Sequence, residues 1–442
     1  SFALKYTNCP AGILRSRTLK SCAAGVSLRA SADPPAARFH GFQCRGIILE
    51  TTTHLLPIFS PLPVSFVKGE GLWLTDTEGK RYLDGFAGIA VNSLGHNHPV
   101  FVKALKDQVE HLIHCSNYFR IDLQETVAAK LCEKSGLRGC FFCNSGLEAN
   151  EAAIKLARKY GHMKGFAQPK IIVFQHAFHG RSIASLSATG NPGVRRDFDP
   201  YLPDFIFVPD GDVAAIEKVA ASEPGIAAVM FEPVQGEGGI RPIPFETMRR
   251  IRALCDKNDW LMILDEVQSG MGRTGKWFAH QHAGIKPDVM TLAKALGSGV
   301  PVGAIVCNEK TYGVFVPGNH GSTFGGNPLA MRAAATTIDV MEKDHLIENA
   351  ATMGEYLQKA FGEAYKDLPC FTEVRGLGLM IGIVLDRPAH DCLKLGLKHG
   401  VLFSVTAGNV IRIVPSLTIS RAEADELVRR VGDVLREFCA RG

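Results

Sequence analysis

At 442 residues, with 46% hydrophobic and 21% charged residues, the chain is long enough for a large core and for two domains. No run of eighteen apolar residues occurs, which excludes an ordinary membrane-spanning helix. The net charge of +5 sits in the first 49 residues, where seven Lys and Arg oppose Asp33 alone; the rest of the chain carries −1 and offers no basic face for nucleic acid.

Residues 1–50 are rich in Arg, Ser and Ala, nearly free of acid, and show no core periodicity. That composition predicts an organelle transit peptide, mitochondrial ahead of plastid, or else a disordered extension of a cytoplasmic protein. No continuous apolar core follows the basic residues, which disfavours a secretory signal. The twelve cysteines lack the density and spacing of a disulfide scaffold. Cys140 and Cys143 form a lone CxxC around two Phe, read as buried free thiols in a reducing compartment.

Beyond residue 50, apolar positions Phe101, Leu105, Val109 and Leu112 predict a helix from Pro99 to about Ile113. Apolar runs then predict strands at Gly139–Cys143, Lys170–Phe174, Ala227–Phe231, Leu261–Leu264, Val289–Ala293 and Val302–Val306. Helical patterns lie between them, as at Glu148–Tyr160 and Thr247–Asn258. This alternation predicts an α/β fold with a mostly parallel, doubly wound sheet. From about residue 345 the pattern shifts to longer helices and a short strand pair near Leu402–Pro415. The last helix opens with the capping box Ser420/Glu423. The reading is a large domain over 100–345 and a smaller α+β domain from 346–442 plus 51–99.

In such a sheet, ligands sit beyond the carboxyl ends of the strands. The polar residues gather there. Ser145-Gly-Leu-Glu148 opens a helix, and a glycine turn at a helix start offers free N–H groups to a phosphate. Lys294 follows a buried strand and precedes Ala-Leu-Gly-Ser-Gly, a setting that desolvates an amine and makes it a nucleophile toward carbonyls. Asp265 ends another buried strand, where an unpaired carboxylate is unfavourable without a cation or proton donor. His176 and His179 lack a further Cys or carboxylate beside them, so no metal is expected. A phosphate site, a carbonyl-reactive lysine and a buried Asp describe a pyridoxal 5'-phosphate site, in which Asp265 keeps the pyridine nitrogen protonated. Glu266 is expected to turn away and cap or pair nearby.

From about residue 55 onward the chain resembles the class III aminotransferases. The resemblance is carried by Leu94-Gly-His-Asn-His-Pro99, Asn144-Ser-Gly-Leu-Glu-Ala-Asn-Glu151, Phe178-His-Gly-Arg181, Glu232-Pro-Val-Gln-Gly-Glu237, Leu264-Asp-Glu-Val-Gln-Ser-Gly-Met-Gly-Arg-Thr-Gly275, Thr291-Leu-Ala-Lys294 and Ser322-Thr-Phe-Gly-Gly-Asn-Pro328. It implies the pyridoxal-phosphate fold type I, with Lys294 carrying the cofactor and moving the substrate proton. It implies that Ser145, Gly146 and Leu147 hold the phosphate, Phe178 and Val267 flank the ring, and Gln268 meets the ring hydroxyl. Thr323 would reach the phosphate of a second subunit, which implies a homodimer with active sites at its interface. Arg181 and Arg412 would bind substrate carboxylates. Because the amino donor brings no anion to Arg412, chemistry adds the expectation that Glu237 pairs with Arg412 when the donor is bound and swings aside for the acceptor, with a fixed structural ion pair as the alternative. The leading donor is N-acetylornithine and the acceptor 2-oxoglutarate. Ornithine, 4-aminobutyrate and succinyl-diaminopimelate are rival donors, and a catalytically dead regulatory paralogue is the reading from another class.

Two positions depart from the family pattern. Leu147 replaces the usual Ala or Thr, which a backbone contact tolerates. Phe59 replaces a frequent Tyr next to the donor and removes a hydroxyl there.

Overall fold

A computed structural model describes residues 54–441; the transit-peptide reading falls on residues outside that range. The described residues fall into two units, 54–60 and 61–441. Among the described residues of the first unit there is no helix or strand, and the Phe59 side chain is 82% exposed.

The second unit is organised by a seven-stranded sheet. Its order is Gly139–Cys143, Gly303–Cys307, Val289–Leu292, Leu261–Asp265, Ile226–Phe231, Lys170–Phe174 and Phe205–Val208. All pairings are parallel except the two made by Gly303–Cys307, which runs against both its neighbours. The strand Phe205–Val208 was not among the predicted ones; its four residues, Phe-Ile-Phe-Val, form an edge.

The continuous apolar character of these strands follows from cover on both faces. Ile171, Val173, Ala228, Met230, Leu261 and Ile263 pack on one side with Ala149, Ala152, Ala153 and Leu156 of the helix Gly146–Met163. Ile172, Phe174, Val229, Phe231, Met262 and Leu264 pack on the other, against Val213 and Ile216 of Val213–Ser222 and Met248 and Ile251 of Phe245–Asn258. Period-two alternation therefore serves two cores, and no face is left polar.

The segment before residue 100 joins the carboxyl-terminal part. Strands Phe66–Glu70, Trp73–Asp76 and Arg81–Asp84 form a sheet closed by Val401–Leu402. A second small sheet is antiparallel throughout, in the order Phe371–Leu377, Met380–Leu385, Val410–Ile413, Ser404–Thr406. The final helix, Arg421–Cys439, carries the capping box at Ser420 and Glu423, each satisfying the other's backbone N–H. Its buried stripe of Leu427, Val431, Val434, Leu435 and Phe438 has helical spacing.

Cys140 and Cys143 are free, as are Cys115, Cys132, Cys255, Cys307 and Cys392. Two cysteines outside that pair are joined instead. Cys370 and Cys439 form a disulfide, Cα to Cα 5.6 Å, across a sequence separation of 69. No local spacing signals a bond between residues so far apart; packing of the last helix brings them together.

Candidate active site

Five strand ends converge on a cavity of about 400 Å³, lined among others by Ser145, Phe178, Glu232, Asp265 and Lys294. Each lies at or just beyond the carboxyl end of a different strand, and all five strands run in the same direction, so the sheet itself assembles the site.

The helix Gly146–Met163 begins at this cavity. Ser145 is its N-cap and accepts from Glu148 N–H. The Glu148 carboxylate reaches back to Asn144 N–H at 2.7 Å, one residue further than an ordinary capping box. Within the described chain no bond uses the N–H groups of Gly146 and Leu147, which stand at the positive end of an eighteen-residue helix and line the cavity. A methyl group on Gly146 would lie 2.6 Å from Val267 Cγ1, so only glycine lets these two walls approach. That end suits a phosphate.

Asp265 is 4% exposed. Its Oδ2 lies 2.7 Å from His179 Nδ1 and accepts from Asn150 Nδ2 at 2.8 Å, while Oδ1 accepts from Val267 N–H at 3.0 Å. These bonds fix the carboxylate against the cavity. Asn150 and His179 were not among the predicted site residues. The available signal was a polar Asn on the small, buried face of an Ala-rich helix. Glu266 turns away as expected, buried, and accepts from Ala279 N–H, His280 N–H and His280 Nδ1, capping the turn Ala279–His282.

Lys294 follows the buried strand Val289–Leu292 with a left-handed backbone, φ 44°. For a residue with a Cβ this conformation is strained, and the turn that follows is tight: a Cβ on Gly297 would lie 2.0 Å from Val300 O. Burial lowers the Lys294 amine from 10.5 to about 8, helped by the Arg412 charge and opposed by Glu237, Asp265 and Glu232. An amine with that value is still mostly protonated near physiological pH, but it keeps a neutral fraction, far larger than that of an ordinary lysine, that is able to attack a carbonyl.

Glu232 is a further buried carboxyl that the sequence reading left without a role. Burial first, and then the Asp265 charge, raise it to about 7.

Phe178, Val267 and Gln268 line the cavity, as does Arg181, whose guanidinium lies 5.8 Å from the Phe178 ring. Arg412 lies behind Gln268, 3% exposed. Its Nη1 donates to Glu237 Oε1 at 2.6 Å and to Gln268 Oε1 at 3.3 Å, and its Nε donates to Ser404 Oγ. Glu237 lines an adjoining cavity of about 620 Å³ that also borders Phe178. Thr323 does not reach the site of its own chain; it is exposed on a separate depression with Asn117, Ser322 and Gly325.

The donor set fits pyridoxal phosphate: free helix N–H groups for an anion, a fixed buried carboxylate for a ring nitrogen, and a partly neutral amine for a carbonyl.

The chain matches the family Aminotransferase class-III over residues 59–435. It is 50% identical to an acetylornithine aminotransferase of Nitrosomonas europaea over 386 residues, 87% of this chain and 98% of that one. Among solved structures it is similar to the ornithine aminotransferase of Toxoplasma gondii ME49, with a TM-score of 0.84, 31% identity, and coverage of 88% of this chain and 94% of that one. The N-acetylornithine aminotransferase of Stenotrophomonas maltophilia K279a gives a TM-score of 0.76 at 35% identity, covering 86% and 98%. With the site geometry, these matches identify the chain as a member of the class III aminotransferases, pyridoxal-phosphate-dependent transaminases of fold type I.

Proposed function

We propose that this enzyme moves the terminal amino group of N-acetylornithine to 2-oxoglutarate, giving N-acetylglutamate semialdehyde and glutamate. The reading is supported by relatives such as the Nitrosomonas europaea acetylornithine aminotransferase. The observation that carries it is the ion pair of the buried Arg412 with the partly exposed Glu237 beside the Lys294 pocket.

Bound pyridoxal phosphate supplies a carbonyl that takes up the amino group and a protonated ring that draws electrons from the substrate carbon. Gly146 and Leu147 would hold its phosphate through their free backbone N–H groups. Asp265, itself fixed by His179 and Asn150, holds the proton at the ring nitrogen. Lys294 Nζ, with an ordinary value lowered to about 8, accepts and returns the substrate proton.

The two substrates differ in how many anions they bring. 2-Oxoglutarate has two carboxylates, one for Arg181 and one for Arg412, each a planar fork suited to bidentate binding. N-Acetylornithine reacts through a terminal amine and carries its carboxylate at the far end. It leaves Arg412 without an anion, and a buried unpaired guanidinium costs several kcal/mol. Glu237 supplies the missing charge and is about one-third exposed, which leaves it room to withdraw for the acceptor.

The test is a panel of N-acetylornithine, ornithine, 4-aminobutyrate and succinyl-diaminopimelate as donors, with 2-oxoglutarate as acceptor. N-Acetylornithine should give the highest kcat/KM; preference for another donor would replace this assignment with that activity.

We further infer a homodimer in which Thr323 completes the partner's phosphate site. Its exposed position away from its own cavity supports this. Residues 1–50 are proposed to direct the protein to an organelle, mitochondrion ahead of plastid, on their basic, acid-poor composition. Light scattering and a reporter fused to residues 1–50 test the two.

A further inference from the structure

Glu232 follows the fully buried strand Ile226–Phe231 and is itself 5% exposed on the wall of the cofactor cavity. Among the described residues it makes no ion pair. Its Oε1 accepts from Phe178 N–H at 2.9 Å, and its Oε2 accepts from Gly236 N–H at 3.0 Å. The first bond holds the segment that carries the aromatic wall of the cavity. The second holds the turn of a small hairpin, Val234–Gln235 with Arg241–Pro242, and this turn carries Glu237.

The other side of the turn is fixed from the second small sheet. Thr406 Oγ1 donates to Glu237 O at 2.6 Å. The Gly236 backbone lies directly against the Gln268 amide, where an added Cβ would meet Nε2 at 2.2 Å. Gln268 in turn accepts from Arg412. The loop is thus held at its carbonyls by Thr406 and at its N–H by Glu232. Of these two, only Glu232 can change its charge.

We propose that Glu232 is a positioning residue whose carboxylate locks the Gly236–Glu237 turn so that Glu237 covers Arg412, and whose protonation loosens that turn and opens Arg412 to the acceptor's carboxylate. This rests on the reading of Arg412 and Glu237 given under Proposed function.

The chemistry is direct. A carboxylate accepts both N–H groups in charge-assisted bonds, about twice as strong as neutral ones. A carboxylic acid commits one oxygen as a donor and weakens one of the two. Three titratable groups face Glu232 from neighbouring elements: Asp265, which disfavours its ionisation, and His179 and Lys294, which favour it. Burial outweighs the latter, and the proton is exchanged near neutral pH, at about 7. The ionised form therefore favours the donor half-reaction, in which Glu237 must stay on Arg412. The protonated form favours the acceptor half-reaction.

The experiment follows each half-reaction of the holoenzyme by single-turnover cofactor absorbance, with N-acetylornithine and with 2-oxoglutarate, between about pH 6 and pH 8. The quantity read is the ratio of donor to acceptor rate in wild type and in Glu232→Gln. Ionisation of the donor amine is common to both proteins, and Lys294, on which the Glu232 charge also acts, serves both half-reactions, so its change falls on both rates and not on their ratio. The wild-type ratio should rise with pH by up to about a hundredfold more than the variant's, because for one group titrating near 7 the ionised fraction rises about tenfold while the protonated fraction falls about tenfold. Superimposable pH dependences would overturn the proposal, as would equal losses in both half-reactions at every pH, which is what a purely structural Glu232 gives. If Glu232→Gln does not retain cofactor, Glu237→Gln must lose the same pH dependence, and its persistence there would overturn the proposal equally. Failure of wild type to convert N-acetylornithine at any pH would instead sink the substrate assignment.

Discussion

Replacing Lys294 by Met should abolish turnover and stabilise the cofactor-free protein. In the fold, burial holds the amine at about 8 against an ordinary 10.5. The displacement corresponds to roughly 3 kcal/mol of unfavourable burial of the charged form. The sign follows from proton counting. Between 8 and 10.5 the unfolded chain binds more protons at this site than the folded one, so the contribution to stability rises with pH. Below 8 the full penalty is present; above 10.5 it vanishes. Lys294 remains partly open to a cavity that water can enter, so about 2 kcal/mol is the expected gain for the neutral side chain. The left-handed backbone at this position is strained in both proteins and cancels in the comparison. Denaturant unfolding of the cofactor-free proteins, followed by tryptophan fluorescence, should show the variant more stable at about pH 7 and the difference fading toward pH 10. A variant of equal or lower stability at neutral pH, or a gain independent of pH, would refute the reasoning. The lysine would then be adequately solvated, and its reactivity would need another cause.

Asp265→Asn should keep the shape that His179 and Asn150 hold but remove the charge, so turnover should fall at least about a hundredfold with cofactor retained; near-normal kcat would move the role elsewhere. Glu237→Ala leaves Arg412 buried without its anion, and the half-reaction with N-acetylornithine should slow about tenfold or more relative to that with glutamate, while α-amino acids begin to compete as donors. Equal losses in both half-reactions would mark the pair as a fixed structural one. The Cys370–Cys439 bond closes a loop of 69 residues, worth at most about 4 kcal/mol through the unfolded chain. A thiol reductant should lower the unfolding midpoint of wild type and leave that of Cys439→Ser unchanged; an identical response in both would show that the bond does not form.

Period and strand-end chemistry made much of this protein legible from residues alone. The apolar runs ending at Cys143, Phe174, Phe231 and Leu264 are continuous because both faces are covered, and that same burial makes a polar residue at each end conspicuous. Asp265, Lys294 and the glycine turn at Ser145 stood out for this reason. The motifs named their roles. The short edge strand Phe205–Val208 was missed, since four apolar residues without an informative terminus carry little periodic signal.

What only the tertiary structure decided are relations between residues far apart in the chain. That His179 and Asn150 share Asp265, that Glu232 holds the N–H groups of Phe178 and Gly236, and that Cys370 meets Cys439 depend on the order in which seven strands pair and on where the last helix packs. A sequence records which groups are polar in apolar surroundings, because burial of each acts locally. It does not record which of them satisfy one another. Hydrogen bonds form over about 3 Å and depend on the direction of approach, and only the packed sheet and its covering helices set positions to that tolerance.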